Sequence, residues 1–243
     1  MIKIKGVSKR FGTQHILRDV HLEIPTGSKL CIVGKSGVGK SVLVKLILGL
    51  LPLDDGDIYV EGQSIRAFSK QDWQRLLKKF GVVFQGAALF DSLTILENVG
   101  IRLFEAHQLT RPRIQDLVVE ALEKVHLSAD ILHKYPSELS GGMRKRVGIS
   151  RAIIHEPQYL VFDEPTTGLD PINSGAIDEL IDELAQKPER TSIIITHDMY
   201  TVGQIASQVA MIHEQRLLYD GSGADFLRSH KPEIQAFLAR SLK

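Results

Sequence analysis

Cysteine is almost absent from this sequence: Cys31 is the only one in 243 residues. An internal disulfide is therefore excluded, and a reducing compartment is expected. Excess charge is absent too. Thirty Lys and Arg stand against 29 Asp and Glu, for a net +1. That balance removes the electrostatic case for a nucleic-acid partner. Long apolar runs are missing as well. The most apolar stretch, 42–53, carries Lys45 and is shorter than the roughly 20 residues a membrane span needs. Residues 1–5 alternate apolar and polar, so no signal peptide is expected. Any work at a membrane is expected to need another chain to span it. Internal repeats and low-complexity linkers are also lacking. The remainder is ordinary. At 43% hydrophobic and 24% charged, the composition is that of a soluble globular chain. Its length suits one large domain, or a domain with a subdomain.

Patterning predicts alternating elements. Ile2, Ile4, Leu22 and Ile24 alternate with polar residues and predict short strands in the first 35 residues. The apolar run 30–33 predicts a buried strand. A glycine loop follows, then a helix from Lys40 to about Leu50, ended by the turn residues Pro52, Asp54, Asp55 and Gly56. Strands are predicted at 57–61 and 81–84, around a helix beginning near Ser69. From about Thr94 to Ile154 the pattern is helical, with breaks expected at Pro112 and at Tyr135-Pro136. Then come a strand (159–162), a helix (171–186), a β-branched strand (191–196), a short helix, strands at 209–213 and 216–219, and a C-terminal helix. Strands alternating with helices imply a mainly parallel α/β sheet, with the helical middle as an insertion.

Two stretches carry phosphate chemistry. Gly34-Lys-Ser-Gly-Val-Gly-Lys-Ser41 fits G-x-x-x-x-G-K-[ST]. Its glycines let backbone N–H groups converge on phosphate oxygens at a helix N-terminus. Lys40 would reach the β- and γ-phosphates, and Ser41 would coordinate Mg²⁺. A plain glycine-rich turn is the competing reading, but this one follows a predicted strand and opens a predicted helix. Further on, the strand 159–162 ends in Asp163 and Glu164. Successive side chains point opposite ways along a strand, so the two acids can take separate jobs. Asp163 would hold Mg²⁺, and Glu164 would orient and deprotonate the attacking water. Binding and hydrolysis of a nucleoside triphosphate follow. Kinases, GTPases, helicases and transport ATPases all remain open at this point.

A second glycine pair, Gly141-Gly142, lies between Pro136 and a predicted helix. Ser140 suits the N-cap. A capped helix with a flexible entry explains the serine but not two glycines in the first turn, each costing roughly 1 kcal/mol against alanine. Close backbone approach to an anion would justify them. Arg144, Lys145 and Arg146 add positive charge nearby, though a solvated face is the default for such a run.

With those residues in place the chain resembles the ATP-binding cassette (ABC) ATPases over essentially its whole length. The landmarks run in order: 34–41, Gln85, Leu139-Ser-Gly-Gly-Met143, 160–164, Gly168-Leu-Asp170 and His197. The resemblance implies an α/β P-loop NTPase fold, with a RecA-like core, an N-terminal antiparallel β-subdomain and an inserted helical subdomain. A single domain would fill 1–243, with 1–86 and 158–243 as the core with its β-subdomain and about 87–157 as the helical subdomain. It implies ATP and Mg²⁺ as cofactors. Carried over by position, Phe11 would stack on adenine. Gly34, Lys35, Ser36, Gly37, Val38, Gly39, Lys40, Ser41 and Val42 would hold the phosphates, with Gln85 as sensor. Lys40, Glu164 and His197 would be catalytic, and Ser41, Gln85 and Asp163 would serve the metal. Leu139, Ser140, Gly141, Gly142 and Met143 form the signature, which in that family closes on ATP held by a second copy in a head-to-tail sandwich dimer. Asp170 would communicate across that dimer. Val38 and Val42 depart from the small hydroxyl residues usual there, and Met143 from the usual Gln.

Met143 and the stretch 84–94, with Glu97-Asn-Val99, resemble the ATPases of Mce/Mla-type lipid transport systems. That resemblance implies a permease partner, an Mce-domain substrate-binding protein, in some members a small cytoplasmic regulatory subunit, and a cytoplasmic place on the inner face of the membrane. The permease contact is expected in 87–107, through Leu89, Phe90 and Leu93. Three readings compete. One is an amino-acid or lipoprotein-releasing transporter ATPase. Another is a soluble ABC ATPase of DNA repair or translation, weakened by the single cassette, the lack of a long coiled-coil insertion and the neutral charge. The third is a P-loop fold without turnover, against which Glu164 and His197 argue.

Overall fold

The computed structural model describes the backbone of residues 1–241 and the side chains of residues 1–239. Strand β1 (Ile2–Phe11) pairs antiparallel with β2 (Gln14–Ile24). Both are longer than the short strands the alternation predicts. Register shifts between Ile4 and Val7, Val7 and Lys9, and Lys9 and Arg10 break the two-residue period while pairing continues. β3 (Lys29–Val33) is the expected buried strand. Helix α1 (Lys40–Ile47) stops short of Leu50, because Gly49 takes φ +65 and the N–H of Leu50 donates back to the Lys45 carbonyl. That is a glycine C-terminal cap.

β4 (Asp55–Val60), β5 (Gln63–Ser64), α2 (Lys70–Lys78) and β6 (Phe80–Val83) follow. Then come α3 (Ile95–Ala106), α4 (Arg111–Glu123) and α5 (Gly141–Ile153). Pro112 does not break a helix. It sits in the first turn of α4, where its missing N–H goes unneeded. The break lies before it, where His107 caps α3 at φ +52. After α5 run β7 (Tyr159–Asp163), α6 (Pro171–Leu184), β8 (Thr191–Ile195), α7 (Met199–Ile205), β9 (Gln208–His213), β10 (Arg216–Gly221), α8 (Gly223–Leu227) and α9 (Pro232–Ser241).

The chain forms two compact units, Met1–Leu77 with Ala185–Lys243, and Lys78–Leu184. In the first, β2-β1-β4-β5 make an antiparallel sheet. There β3 also pairs parallel with β8 and β9, and β9 antiparallel with β10. In the second, β6 and β7 pair parallel, and α3, α4 and α5 close over a core that includes Ile95, Val99, Val118, Leu122, Leu139 and Val147. Parallel pairs buried on both faces need no alternation, which is why β3, β7 and β8 read as continuous apolar or β-branched runs. Among the described residues no helix is long and apolar enough to cross a membrane.

Candidate nucleotide-binding site

In the first unit the loop 34–39 turns from β3 into α1. Gly34 takes φ +143, and a Cβ there would lie 2.4 Å from the Ile212 carbonyl oxygen. No other residue fits both constraints. Gly37 (φ +76) has open space around it, so its backbone can face a ligand closely. Gly39 caps α1 with no side-chain acceptor, and the first turn holds no acidic residue. The positive end of the helix dipole is therefore left without a competing carboxylate. Lys40 is buried, and its Nζ donates to the carbonyls of Gly34 (2.9 Å) and Lys35 (3.1 Å). The loop thus holds its lysine over its own backbone oxygens. Lys35, Ser36 and Gly37 are exposed, and Val38, Ser41 and Val42 are half-buried.

Phe11 ends β1 as a residue 49% exposed, with Lys9 Nζ 5.6 Å from its ring centroid. Lys9 is itself fixed by Asp54 (2.7 Å) and the Pro52 carbonyl (2.8 Å). A core role for Phe11 is excluded; it is an open aromatic face. His197 is exposed just past β8, between the buried Thr196 and Asp198, which caps α7.

In the second unit, Gln85 and Glu164, 79 residues apart, meet directly. Gln85 Nε2 donates to Glu164 Oε2 at 3.3 Å, and Thr167 Oγ1 donates to the same oxygen at 3.1 Å. Glu164 stands at φ +49, unusual for a residue with a Cβ, so its carboxylate is aimed by a held backbone. Asp163 closes β7 one residue earlier, half-buried. Asp170 does local work. Its carboxylate accepts from the N–H groups of Ile172 and Asn173 (both 3.1 Å) and from the Asn173 side chain (2.6 Å). These bonds, the Asn173 side chain first, hold its pKa below the usual carboxylate range.

The signature opens α5. Ser140 Oγ accepts from the Met143 N–H at 3.3 Å, as an N-cap should. Packing does not require Gly141: a Cβ there would meet only ordinary contacts, such as Leu169 at 3.7 Å. At Gly142 a Cβ would lie 3.2 Å from the Oδ1 of Asn173, a tight approach to a side chain that Asp170 holds. Packing therefore leaves Gly141 unexplained and accounts for Gly142 only in part. Leu139 is buried in the helical core, and Met143 packs against that core. Met143 is thus a packing residue, which is why a thioether serves where an amide is usual.

Arg144, Lys145 and Arg146 are not one solvated face. Arg144 donates to the Leu139 carbonyl, Arg146 to that of Val125, and the buried Lys145 to that of Gln85. Sequence reasoning missed Lys145 and Thr167. A signal existed for Lys145: at helical spacing it lines up with Gly148, Ile149 and Ala152, all buried. Leu89 also departs from expectation, since it packs on the helical core rather than standing open.

Residues 17–167 match the ABC transporter family. The chain belongs to the ABC transporter family. That span runs from β2 through the P-loop, the signature and the Asp163-Glu164 pair to Thr167. The chloroplastic protein TRIGALACTOSYLDIACYLGLYCEROL 3 of Arabidopsis thaliana is 36% identical, covering 100% of this chain and 74% of its own length. The "Probable ribonucleotide transport ATP-binding protein mkl" of Mycobacterium leprae is also 36% identical, over 98% of this chain and 68% of its own. The intermembrane phospholipid transport system ATP-binding protein MlaF of Escherichia coli K12 is 34% identical, over 98% and 88%. Among solved structures, a dimeric ATP-binding cassette in a post-hydrolysis state, bound to ADP and Pi, superposes with a TM-score of 0.83. It is 27% identical, over 91% of this chain and 98% of that one. This ABC protein is accordingly an ATPase with the α/β P-loop fold of the cassettes, and ABC cassettes form dimers.

Proposed function

We propose that this ABC ATPase powers movement of phospholipid or a related lipid through a separate permease in a bacterial envelope. One observation carries the reading: a signature ending in Met143, in a chain 34% identical to MlaF over 98% of its length. In this reading Phe11 stacks on adenine, residues 34–42 bind the phosphates and Lys40 neutralises them. Glu164 takes the proton of the attacking water, and His197 contacts the γ-phosphate. The donors offered by Ser41, Gln85 and Asp163 are all oxygens, the set Mg²⁺ prefers. Gln85 uses its amide N–H on Glu164, which keeps its oxygen for the metal. Bound there, Mg²⁺ would neutralise charge developing on the phosphates. Residues 139–143 close on the ATP of a second copy, and Asp170 lies on the route between the two sites. The helical subdomain is assigned to about 87–157. An Mce-domain protein and a small cytoplasmic subunit complete the complex, at the inner face of the membrane and without nucleic acid.

Phe90 is 52% exposed. A cavity of about 260 Å³ lined by Leu93, Glu97, Ile101, Phe104, Glu105 and Arg111 lies in the same unit. Phe90 and the cavity's Leu93, Ile101 and Phe104 are the apolar candidates for the permease. Phe90→Asp is expected to abolish co-purification with the permease while ATP binding by the isolated chain stays within about twofold, since an exposed ring carries little of the fold's stability. Normal co-purification would remove this surface from the proposal. The substrate is tested by extracting the purified complex. Phospholipid is expected in it and absent from this chain alone. A complex without lipid, stimulated instead by an amino acid or a ribonucleotide, would overturn the lipid reading.

A further inference from the structure

The segment just after β6 is held in a conformation its own residues disfavour. Ala87 and Ala88 stand in succession at φ +60 and +47, a region alanine seldom enters. Such backbone persists only where its surroundings hold it. One face of α5 does the holding, through Lys145, Gly148 and Arg151 at three-residue spacing. Lys145 Nζ donates to the Gln85 carbonyl. Arg151 donates to the carbonyls of Ala87 (2.7 Å) and Ala88 (2.8 Å). Gly148 permits the approach, since a Cβ there would lie 3.0 Å from that of Ala87. Burial lowers the pKa of both cations, with the Glu164 carboxylate opposing that shift at Lys145. Lys145 is buried and Arg151 half-buried, and a cation withdrawn from water is unfavourable unless its partners hold it.

We propose that Lys145 is a positioning residue for ATP hydrolysis, fixing Gln85, and through it Glu164, of its own chain. The path has two links: the Lys145 ammonium on the Gln85 carbonyl, and the Gln85 amide on Glu164 Oε2 at 3.3 Å. It rests on the reading of Glu164 as the base. Its distinguishing feature is direction. Lys145 lies on the helix that begins with the signature, yet its effect falls on its own chain's carboxylate and not on the partner's nucleotide.

Lys145→Met and Lys145→Arg in the full chain test it. Lys145→Met is expected to lower kcat about tenfold with KM for ATP within about twofold, the pattern of a misplaced base. Lys145→Arg is expected to recover most of kcat, because a guanidinium also donates to a carbonyl. An unchanged kcat overturns the proposal. So does a parallel loss of ATP binding and thermal stability, which marks a merely structural contact. Direction is read from mixed dimers of Lys145→Met with Ser140→Arg. There one site joins the Ser140→Arg chain's P-loop and Glu164 to the signature of the Lys145→Met chain. Single turnover at that site is expected to match a wild-type and Ser140→Arg mixture. Slow turnover there, against a normal control, places the defect on the signature side and overturns the proposal. A control that itself fails to turn over refutes the trans-acting signature instead, and the homodimer kcat values then decide for Lys145.

Discussion

Glu164→Gln is expected to bind ATP, to hydrolyse it at least a hundredfold more slowly, and to accumulate as an ATP-bound dimer. The size of the loss is that of a removed general base, about 10²–10⁴ in rate. The geometry explains why binding should survive. Both donors around Glu164, from Gln85 and Thr167, converge on Oε2. An amide oxygen in that place accepts from both, so the backbone at φ +49 and the Gln85 contact keep their partners. What the amide lacks is a site for the proton of the attacking water. Phosphate release measured beside size-exclusion chromatography in Mg-ATP checks both halves. Near-wild-type turnover would remove Glu164 as the base. A species that stays monomeric with ATP bound would remove the sandwich dimer.

The parts of this site that were legible in the sequence are those whose chemistry is local. Gly34, Gly39 and Lys40 lie within seven residues, and the spacing that makes a phosphate cradle is visible in the chain itself. Continuous apolar runs marked β3 and β7 because both of their faces are buried. The end of α1 and the place of the break near Pro112 differ from expectation. Gly49 ends α1 ahead of an apolar residue, and Pro112 starts a helix it was expected to break. The β1–β2 hairpin outran its alternation through shifts in register that no period reveals.

Contacts over long separations were the part that stayed hidden. The family resemblance assigned roles to Gln85 and Glu164 but not their direct contact, and the hold of Lys145 on Gln85 was not expected either. A run of Arg144, Lys145 and Arg146 looks solvated as text. On α5 its members point in different directions, and each ends on a different carbonyl. Side-chain direction on a helix separates neighbours by about 100°. A charge run is therefore three separate environments, one of them buried.

The glycine pair 141–142 leads to the other large effect. Take one chain with Lys40→Ala and an intact signature, and a second with an intact P-loop and Ser140→Arg. In the first, the cation that must neutralise triphosphate is gone, and ATP binding at its own P-loop is expected to be abolished. In the second, a long side chain enters the face beside Gly141, a glycine that packing does not require. Neither homodimer has a working composite site. If the signature acts on the partner's nucleotide, the mixed dimer holds one site broken on both sides and one whole site. The whole site joins the P-loop of the Ser140→Arg chain to the signature of the Lys40→Ala chain. Mixing is then expected to restore occlusion of about one ATP per dimer, from a background of none, as the cassette sandwich requires. Steady turnover can demand both sites, so the measurement is nucleotide trapping or a single turnover. If the signature instead serves its own P-loop, every site in the mixture is damaged and nothing is trapped. Absence of trapping, with both variants folded and the Ser140→Arg chain still binding ATP, would mean that Gly141 and Gly142 are not there for a second chain's phosphate.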